Sequence, residues 1–225
     1  MLSVHGRGPA AVIIEPIARV LHKMGITPNA VTVFGTLLAI GFALWLIPSG
    51  HHFAAAVLIG LTVATDMVDG TMARMRGGGT RFGATLDATC DRLSDGAIFG
   101  ALVLWFGLQE PANVVMMSVC LVILVASQVT SYVKARAEAS GIKVVGGLIE
   151  RPERLIISLV AVGIGGLGVP HVLAWGLWIL AAGSLYTVVE RLVIVARSDA
   201  ASQTIAAPEG AREFPAEGSL SLIHI

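Results

Sequence analysis

Residues 66–91 read DMVDGTMARMRGGGTRFGATLDATCD, and they place four aspartates between long apolar segments. The aspartates are Asp66, Asp69, Asp87 and Asp91. A charged carboxylate at the centre of a membrane-spanning helix costs roughly 2.5–3.5 kcal/mol. Carboxylates in such a position therefore require either a compensating cation or a function.

The composition of the chain favours a membrane protein. It has 225 residues, of which 55% are hydrophobic and 13% charged, and a soluble domain of this length needs a larger polar surface. The first 25 residues lack the pattern of a cleavable signal peptide. We predict an all-α integral membrane protein with six transmembrane helices. Their expected limits are 30–48, 53–74, 83–107, 112–135, 155–169 and 172–195.

Basic residues predict the orientation of these six segments. All fifteen Lys and Arg residues lie in or beside alternate connections and the two terminal regions. The opposite connections, 49–52, 108–111 and 170–171, contain none. By the positive-inside rule, both termini and the aspartate-rich segment face the cytoplasm, which indicates a multi-pass protein of the cell membrane.

The two ends of the chain have different patterns. Residues 9–25 carry apolar side chains at helical spacing, which predicts an amphipathic helix in the cytoplasmic interface. Thr27 is expected to cap the first membrane helix and Pro28 to lie in its first turn, so that the span starts near Asn29. The polar end predicts a disordered cytoplasmic tail. The expected division is a terminus with an interfacial helix (1–28), a six-helix domain (29–197) and the tail (198–225).

The spacing within each aspartate pair brings its two side chains to one face. Asp66 and Asp69 are three residues apart, and Asp87 and Asp91 are four apart. If those faces meet, four carboxylates converge at the cytoplasmic end of two antiparallel helices. One interpretation is a salt-bridge network with nearby arginines, for which the candidates are Arg74, Arg76, Arg81 and Arg92. The other is a site for hard divalent cations, which prefer oxygen ligands.

A pair of carboxylate-bridged ions would suit displacement at phosphorus. The small residues Gly70 and Ala73 would let a ligand approach the backbone closely, although they also suit close helix packing. Arg74 lies two turns from Asp66 on the same face, where it could bind a phosphate oxygen.

The pattern Asp66-x-x-Asp69-Gly70-x-x-Ala73-Arg74, followed by Gly83-x-x-x-Asp87-x-x-x-Asp91, resembles the signature of the CDP-alcohol phosphotransferase family at every defining position. The resemblance covers about residues 9–197. It implies transfer of a phosphatidyl or similar group from a CDP-linked donor to an alcohol. CMP is released, and Mg²⁺ or Mn²⁺ is the cofactor, with two ions expected.

The resemblance also implies roles for individual residues. Asp66, Asp69 and Asp87 would ligate metal, and Asp91 would be a further ligand and the general base. A carboxylate close to the alcohol can accept its proton as the oxygen attacks. The donor, CDP-diacylglycerol, would be bound by Asn29, Ala30, Val31, Thr32, Gly70, Arg74 and Thr80.

A basic cluster surrounds the connection from the fourth to the fifth predicted span. Its members are Lys134, Arg136, Arg151 and Arg154, with Arg191 near the end of the sixth span. Such residues can bind lipid headgroups. However, Arg151 and Arg154 also flank a predicted helix start at Pro152, where a phosphate would be favoured by guanidinium and helix dipole together.

The segments KARAEASG (residues 134–141) and GGLIERPERLII (residues 146–157) are similar to those of actinobacterial phosphatidylinositol phosphate synthases, a group within the family. This similarity implies inositol 3-phosphate as acceptor, its phosphate bound by the basic cluster, and a homodimer. Membrane lipids are the other expected partners, and no nucleic acid is expected.

Two alternative functions remain open, and three further residues carry predictions. Glycerol 3-phosphate would suit the basic cluster equally well as acceptor. An ion or proton carrier would also hold intramembrane carboxylates, but matching carboxylates are lacking in the outer half of the predicted spans. Asp95 is expected to pair with a basic residue, and Cys90 and Cys120 to be buried free thiols.

Overall fold

The computed structural model describes residues 7–204, and every regular element in that range is an α-helix. The helices are α1 (Arg7–Lys23), α2 (Pro28–Leu46), α3 (His52–Met75), α4 (Arg81–Gly107), α5 (Val114–Ala139), α6 (Arg151–Gly166) and α7 (Val172–Ala196). The six predicted segments match α2–α7 with end shifts of at most four residues, as where 155 was predicted and Arg151 is observed. The all-α prediction is confirmed.

Four of the described helices are long and apolar enough to cross a membrane, namely α2, α3, α5 and α7. Helices α4 and α6 do not meet this criterion of length and hydropathy. Helix α6 has only 16 residues. Helix α4 carries the charged residues Asp87, Asp91, Arg92 and Asp95, which lower its hydropathy.

Helices α2–α7 form a closed ring in which each packs on two others. Helix α2 packs on α3 and α4, α3 on α6, α6 on α7, α7 on α5, and α5 on α4. Helices α3 and α4 are held side by side through α2, and their aspartates face a space between them.

The apolar core fills one end of this ring. It takes residues from all six helices, for example Ala43, Ile59, Phe99, Ile123, Val162 and Leu177. Small residues permit close packing, as is common between membrane helices. A Cβ at Gly176 would lie 2.5 Å from Cβ of Ala161, so α6 and α7 approach too closely for a larger residue there. The aspartates lie at the other end of α3 and α4.

Polar side chains cap the helix starts nearest the aspartates. Oγ1 of Thr27 accepts a hydrogen bond from the backbone N–H of Ala30 at 3.2 Å, so Thr27 caps α2 as predicted. Helix α2 begins at Pro28, one residue before the predicted start near Asn29. Thr80 caps α4 in the same way, because its Oγ1 accepts from the N–H of Gly83 at 2.9 Å. Each cap satisfies a backbone donor that the helix itself leaves free.

Helix α1 packs along the end of α3. Ile14, Ala18 and Leu21 of α1 form an apolar cluster with residues of the two following helices. Those residues are Val31, Val68 and Met72. Arg76 also ties the two segments together by donating to the carbonyl of Ile26 at 2.9 Å and to His22 Nδ1 at 3.3 Å. Ile17 and Val20 remain exposed on α1, and Met24 is exposed directly after its end.

Two further predictions concern thiols and the tail. Cys90 and Cys120 are both buried and free, as expected. The predicted tail begins at 198, and residues 198–204 form turns and a short unstructured end. Residues 205–225 lie outside the described residues, as do residues 1–6.

Candidate active site

The two aspartate pairs lie on either side of a short glycine-rich turn. Asp66 and Asp69 are on the last turns of α3, and Asp87 and Asp91 on the first turns of α4. The connection between them uses Gly77 at φ 88° and Gly78 at φ 130°, conformations that residues with a Cβ rarely adopt. The turn brings both pairs to the same end of the ring.

The Arg151 guanidinium joins the two pairs. Its Nη1 donates to Oδ2 of Asp66 at 3.1 Å, and its Nη2 lies 2.7 Å from Oδ1 of Asp91. Arg151 is the first residue of α6, and this helix packs on α3. Arg151 and Asp66 are 85 residues apart in sequence. The compensating charge for the aspartates thus comes chiefly from a residue that the sequence assigned to the acceptor.

The four arginines named as candidates for a salt-bridge network with the aspartates have other positions. Only Arg92 approaches one, with Nη2 at 3.8 Å from Oδ2 of Asp91. Arg74 donates to Oγ1 of Thr71 at 2.8 Å, and Arg76 contacts the segment after α1. Arg81 has no ion pair among the described residues.

A cavity of about 470 Å³ lies between the starts of α2 and α4 and the end of α3. Its lining includes two aspartates and four of the predicted donor contacts: Asp69, Asp87, Asn29, Thr32, Gly70 and Thr80. Oγ1 of Thr32 donates to Oδ2 of Asp69 at 2.5 Å, which fixes the orientation of that buried carboxylate. We call this space the glycine-rich cavity.

Three other predicted donor contacts do not line the glycine-rich cavity. Ala30 is exposed, and Val31 packs into the apolar cluster under α1. Arg74 lies beside the cavity on the face of Gly70, where a Cβ would be 3.7 Å from its Nη1. Asn29 and Thr32 are three residues apart on α2, so they share the inward face that Ala30 and Val31 do not.

A second cavity of about 790 Å³ lies between α4, α5, α6 and α7. Its cationic lining residues are Arg92, Lys134, Arg151, Arg154 and Arg191. We call it the basic cavity. The structure thus brings together four of the five predicted acceptor contacts. Arg136 is not among the lining residues, because it is exposed on another face of α5.

Acidic partners hold two of these cations. Nη2 of Arg154 lies 2.5 Å from Oδ2 of Asp95, and the two side chains are 2% and 0% exposed. This contact confirms the predicted pairing of Asp95. Arg191 donates to Oε1 of Glu150 and to the carbonyl of Thr130, each at 3.0 Å.

Sequence reasoning missed several polar residues of the basic cavity. Glu150 holds Arg191, and Ser131 accepts a hydrogen bond from Arg92. Gln128 donates to the carbonyl of Arg92 at 3.2 Å. The spacing of Gln128 and Ser131, three residues apart beside the basic residues of α5, is the signal that could have indicated a polar helix face there.

The aspartates provide a suitable donor set for a divalent cation, although they do not form a closed metal cage. Within residues 7–204, no three acidic, His or Cys side chains are close enough to constitute a complete site. Mg²⁺, however, is usually bound through one or two carboxylates, with water and substrate phosphates as its other ligands. Asp69 and Asp87 line the same cavity and offer such carboxylates. The residues therefore fit Mg²⁺ or Mn²⁺.

Known proteins share both the sequence and the fold of this chain. A family model for CDP-alcohol phosphatidyltransferase matches residues 25–189. The phosphatidylinositol phosphate synthase of Corynebacterium glutamicum is 57% identical over 212 residues, covering 94% of this chain and 97% of that protein. The synthase of Mycobacterium tuberculosis is 49% identical over 207 residues, covering 90% and 94%.

Solved structures of the M. tuberculosis phosphatidylinositol phosphate synthase have the same fold. One, with CDP-DAG bound, has a TM-score of 0.84 and 48% identity, and the match covers 88% of this chain and 100% of that one. Another, in complex with manganese and citrate, has a TM-score of 0.80 and 49% identity, covering 85% and 92%. With its aspartate signature on two helix ends beside a glycine-rich cavity, the chain belongs to the CDP-alcohol phosphatidyltransferase family.

Proposed function

We propose that the chain is a phosphatidylinositol phosphate synthase. It transfers the phosphatidyl group of CDP-diacylglycerol to 1D-myo-inositol 3-phosphate and releases CMP. The observation that carries this proposal is the junction of the two cavities at Arg151. Arg151 lines the basic cavity and bonds to Asp66 and Asp91. Each of those aspartates is one helical turn from an aspartate that lines the glycine-rich cavity.

The donor binds in the glycine-rich cavity. Asn29, Thr32 and Thr80 offer polar side chains to the cytidine and diphosphate, and Gly70 allows a close approach to the α3 backbone. Arg74 is near enough to Gly70 to bind a phosphate oxygen from the rim. Ala30 and Val31 hold the start of α2 in position rather than contacting the donor.

Asp66, Asp69, Asp87 and Asp91 are the proposed metal ligands. When bound, Mg²⁺ or Mn²⁺ neutralises the diphosphate and supports departure of CMP. Thr32 orients Asp69 through its 2.5 Å hydrogen bond, as outer partners commonly do for ligating carboxylates. The manganese complex of the M. tuberculosis synthase supports this choice of ions.

The acceptor phosphate binds in the basic cavity, with Lys134, Arg151, Arg154 and Arg191 as its ligands. Charged donors confined in such a cavity favour an acceptor that carries its own phosphate. Arg136 does not line this cavity, and its proposed role is to contact lipid headgroups and not the acceptor.

Asp91 is the proposed general base. It lies on α4 between the two cavities, where Oδ1 contacts Arg151 and Oδ2 faces Arg92. A base must be within hydrogen-bond reach of the proton that it removes. An inositol phosphate anchored by the basic cavity would present its hydroxyl toward α4, close to this carboxylate and to the donor phosphate.

The membrane arrangement is part of the proposal. All six helices α2–α7 cross the cell membrane, and the termini and the site face the cytoplasm. Helix α1 lies in the interface with Ile17, Val20 and Met24 toward lipid, which their exposure supports. The chain works as a homodimer and consists of the interfacial segment 1–28, the catalytic domain 29–197 and the tail 198–225.

Acceptor choice distinguishes this proposal from the alternative transferase. Glycerol 3-phosphate would fit the basic cavity by charge, but the curated relatives named above are phosphatidylinositol phosphate synthases. CMP release from CDP-diacylglycerol should be fast with inositol 3-phosphate and slow with free inositol or glycerol 3-phosphate. Faster turnover with glycerol 3-phosphate would contradict the proposed acceptor. An ion carrier would release no CMP with any of the three.

A further inference from the structure

Arg151 belongs to both cavities at once. Its two Nη atoms bond to Asp66 and Asp91 at 3.1 and 2.7 Å, while its side chain lines the basic cavity. Its Nε is buried and has no hydrogen-bond acceptor among the described residues. The side chain is 21% exposed, so it is less enclosed than Arg154 at 2%.

We infer that Arg151 couples the binding of the divalent cation to the binding of an anion in the basic cavity. Bonded to Asp66 and Asp91, the guanidinium is neutralised and withheld from the basic cavity. A cation ligated by these carboxylates releases Arg151 to the anion. This inference rests on the metal site of the proposed function and adds an order of binding, with the metal before the acceptor.

The physical reason is competition for the same two carboxylates. A divalent cation and a guanidinium would both be bound by Asp66 and Asp91, and their like charges repel at short distance. The guanidinium cannot avoid this conflict by losing its charge, because arginine stays protonated in proteins. It can move, because its long side chain starts at the first residue of α6, beside the basic cavity.

The other cations of the basic cavity do not have this dual position. Arg154 is paired with Asp95, and Arg191 is held by Glu150 and the Thr130 carbonyl. Lys134 forms no ion pair within the described residues. Neither Asp95 nor Glu150 is a proposed metal ligand, so metal binding leaves those pairs unchanged, whereas both ion-pair partners of Arg151 are proposed metal ligands.

Thermodynamic linkage makes the coupling measurable from the metal side. If the cation strengthens anion binding, the anion must strengthen cation binding by the same factor. Coupling between sites is typically about 5- to 150-fold. The probe for the anion is sulfate, which resembles phosphate in shape and charge, with chloride at matched ionic strength as the reference.

The experiment is a Mn²⁺ titration of the full-length protein in detergent, followed by electron paramagnetic resonance of free Mn²⁺ and without CDP-diacylglycerol. The wild type should bind Mn²⁺ about 5-fold or more tightly in sulfate than in chloride. Arg151→Gln should bind Mn²⁺ more tightly than the wild type in chloride, and sulfate should add nothing. Arg136→Gln, which removes an exposed arginine outside the basic cavity, is the matched control and should keep the full sulfate effect.

The contrary outcomes are equally specific. An unchanged Mn²⁺ affinity of the wild type in sulfate would overturn the coupling, and this comparison needs no variant. Weaker Mn²⁺ binding by Arg151→Gln in chloride would also overturn it, because Arg151 would then support the ligands rather than compete. Arg151→Lys, which keeps the charge but cannot bridge both carboxylates, should fall between Arg151→Gln and the wild type. If Asp66→Asn bound Mn²⁺ as tightly as the wild type, the proposed metal site itself would be wrong.

Discussion

Replacing Arg154 by Met should destabilise the protein strongly, and a second substitution should repair it. Arg154 and Asp95 are joined at 2.5 Å and are 2% and 0% exposed. Arg154→Met leaves the Asp95 carboxylate buried, with only Arg92 nearby at 3.8 Å. Replacing both partners by apolar residues, as in Asp95→Leu/Arg154→Met, leaves no charge uncompensated.

The expected magnitude follows from the burial of the pair. Removing one partner of a buried ion pair costs about 3–5 kcal/mol of unfolding free energy, whereas replacing both by apolar residues is often neutral. For a chain of about this length, 1 kcal/mol corresponds to roughly 2–4 °C in Tm. Arg154→Met should therefore unfold roughly 6–20 °C below the wild type, and the double variant close to it.

The chain contains its own reporter of unfolding. Its two cysteines, Cys90 and Cys120, are free and are 6% and 0% exposed. A thiol-reactive fluorogenic reagent will label them in detergent only as the helices separate. Arg136→Met, which removes an exposed arginine of the same basic segment, is the control and should leave the unfolding temperature unchanged.

Two results would refute this reasoning. One is an Arg154→Met protein that unfolds at the wild-type temperature. The other is a double variant no more stable than Arg154→Met alone. The double variant should still use inositol 3-phosphate poorly, since it lacks one proposed ligand of the acceptor phosphate, and normal use would remove Arg154 from that set.

Five further variants test the site itself. Asp66→Asn and Asp87→Asn should each abolish CMP release while the purified protein elutes as the wild type does, because their charge serves the metal; turnover at the wild-type rate would exclude the position concerned. Asp91→Asn should bind CDP-diacylglycerol almost normally and yet release CMP slowly, since a base acts only as the acceptor attacks; an equal loss of binding and rate would make Asp91 a ligand only. Lys134→Gln should raise KM for inositol 3-phosphate about 10- to 150-fold, the equivalent of roughly 1.5–3 kcal/mol for a charged hydrogen bond, without changing KM for CDP-diacylglycerol. Arg136→Gln should change neither KM. If it raised KM for inositol 3-phosphate as much as Lys134→Gln does, acceptor binding would not be confined to residues that line the basic cavity.

Local patterns in the sequence predicted the helices and the aspartate faces well. Apolar runs of sufficient length define α2–α7, and the caps at Thr27 and Pro28 follow from backbone chemistry at a helix start. The same periodicity could have sharpened the residue choices. Lys134 and Arg136 are two residues apart and cannot share a helix face, and only Lys134 lines the basic cavity.

Contacts between distant helices could not be predicted in this way. The bond between Arg151 and Asp66 joins residues 85 apart, and that between Arg154 and Asp95 joins residues 59 apart. Both depend on the order in which the six helices close into a ring, with α6 beside α3 and not beside α5. No periodicity within one helix encodes that order. The sequence therefore indicated that Asp95 pairs with a basic residue, but not that this residue is Arg154, and it did not indicate that Arg151 pairs with Asp66 and Asp91.

The most direct test of the proposed function is identification of the product by mass spectrometry. The purified full-length protein is supplied with CDP-diacylglycerol, Mg²⁺ and an equimolar mixture of inositol 3-phosphate, glycerol 3-phosphate and inositol. Phosphatidylinositol phosphate should be the main lipid formed, and Asp87→Asn under the same conditions should form none. Phosphatidylglycerol phosphate or phosphatidylinositol as the main product would contradict the assignment of the basic cavity to an inositol phosphate.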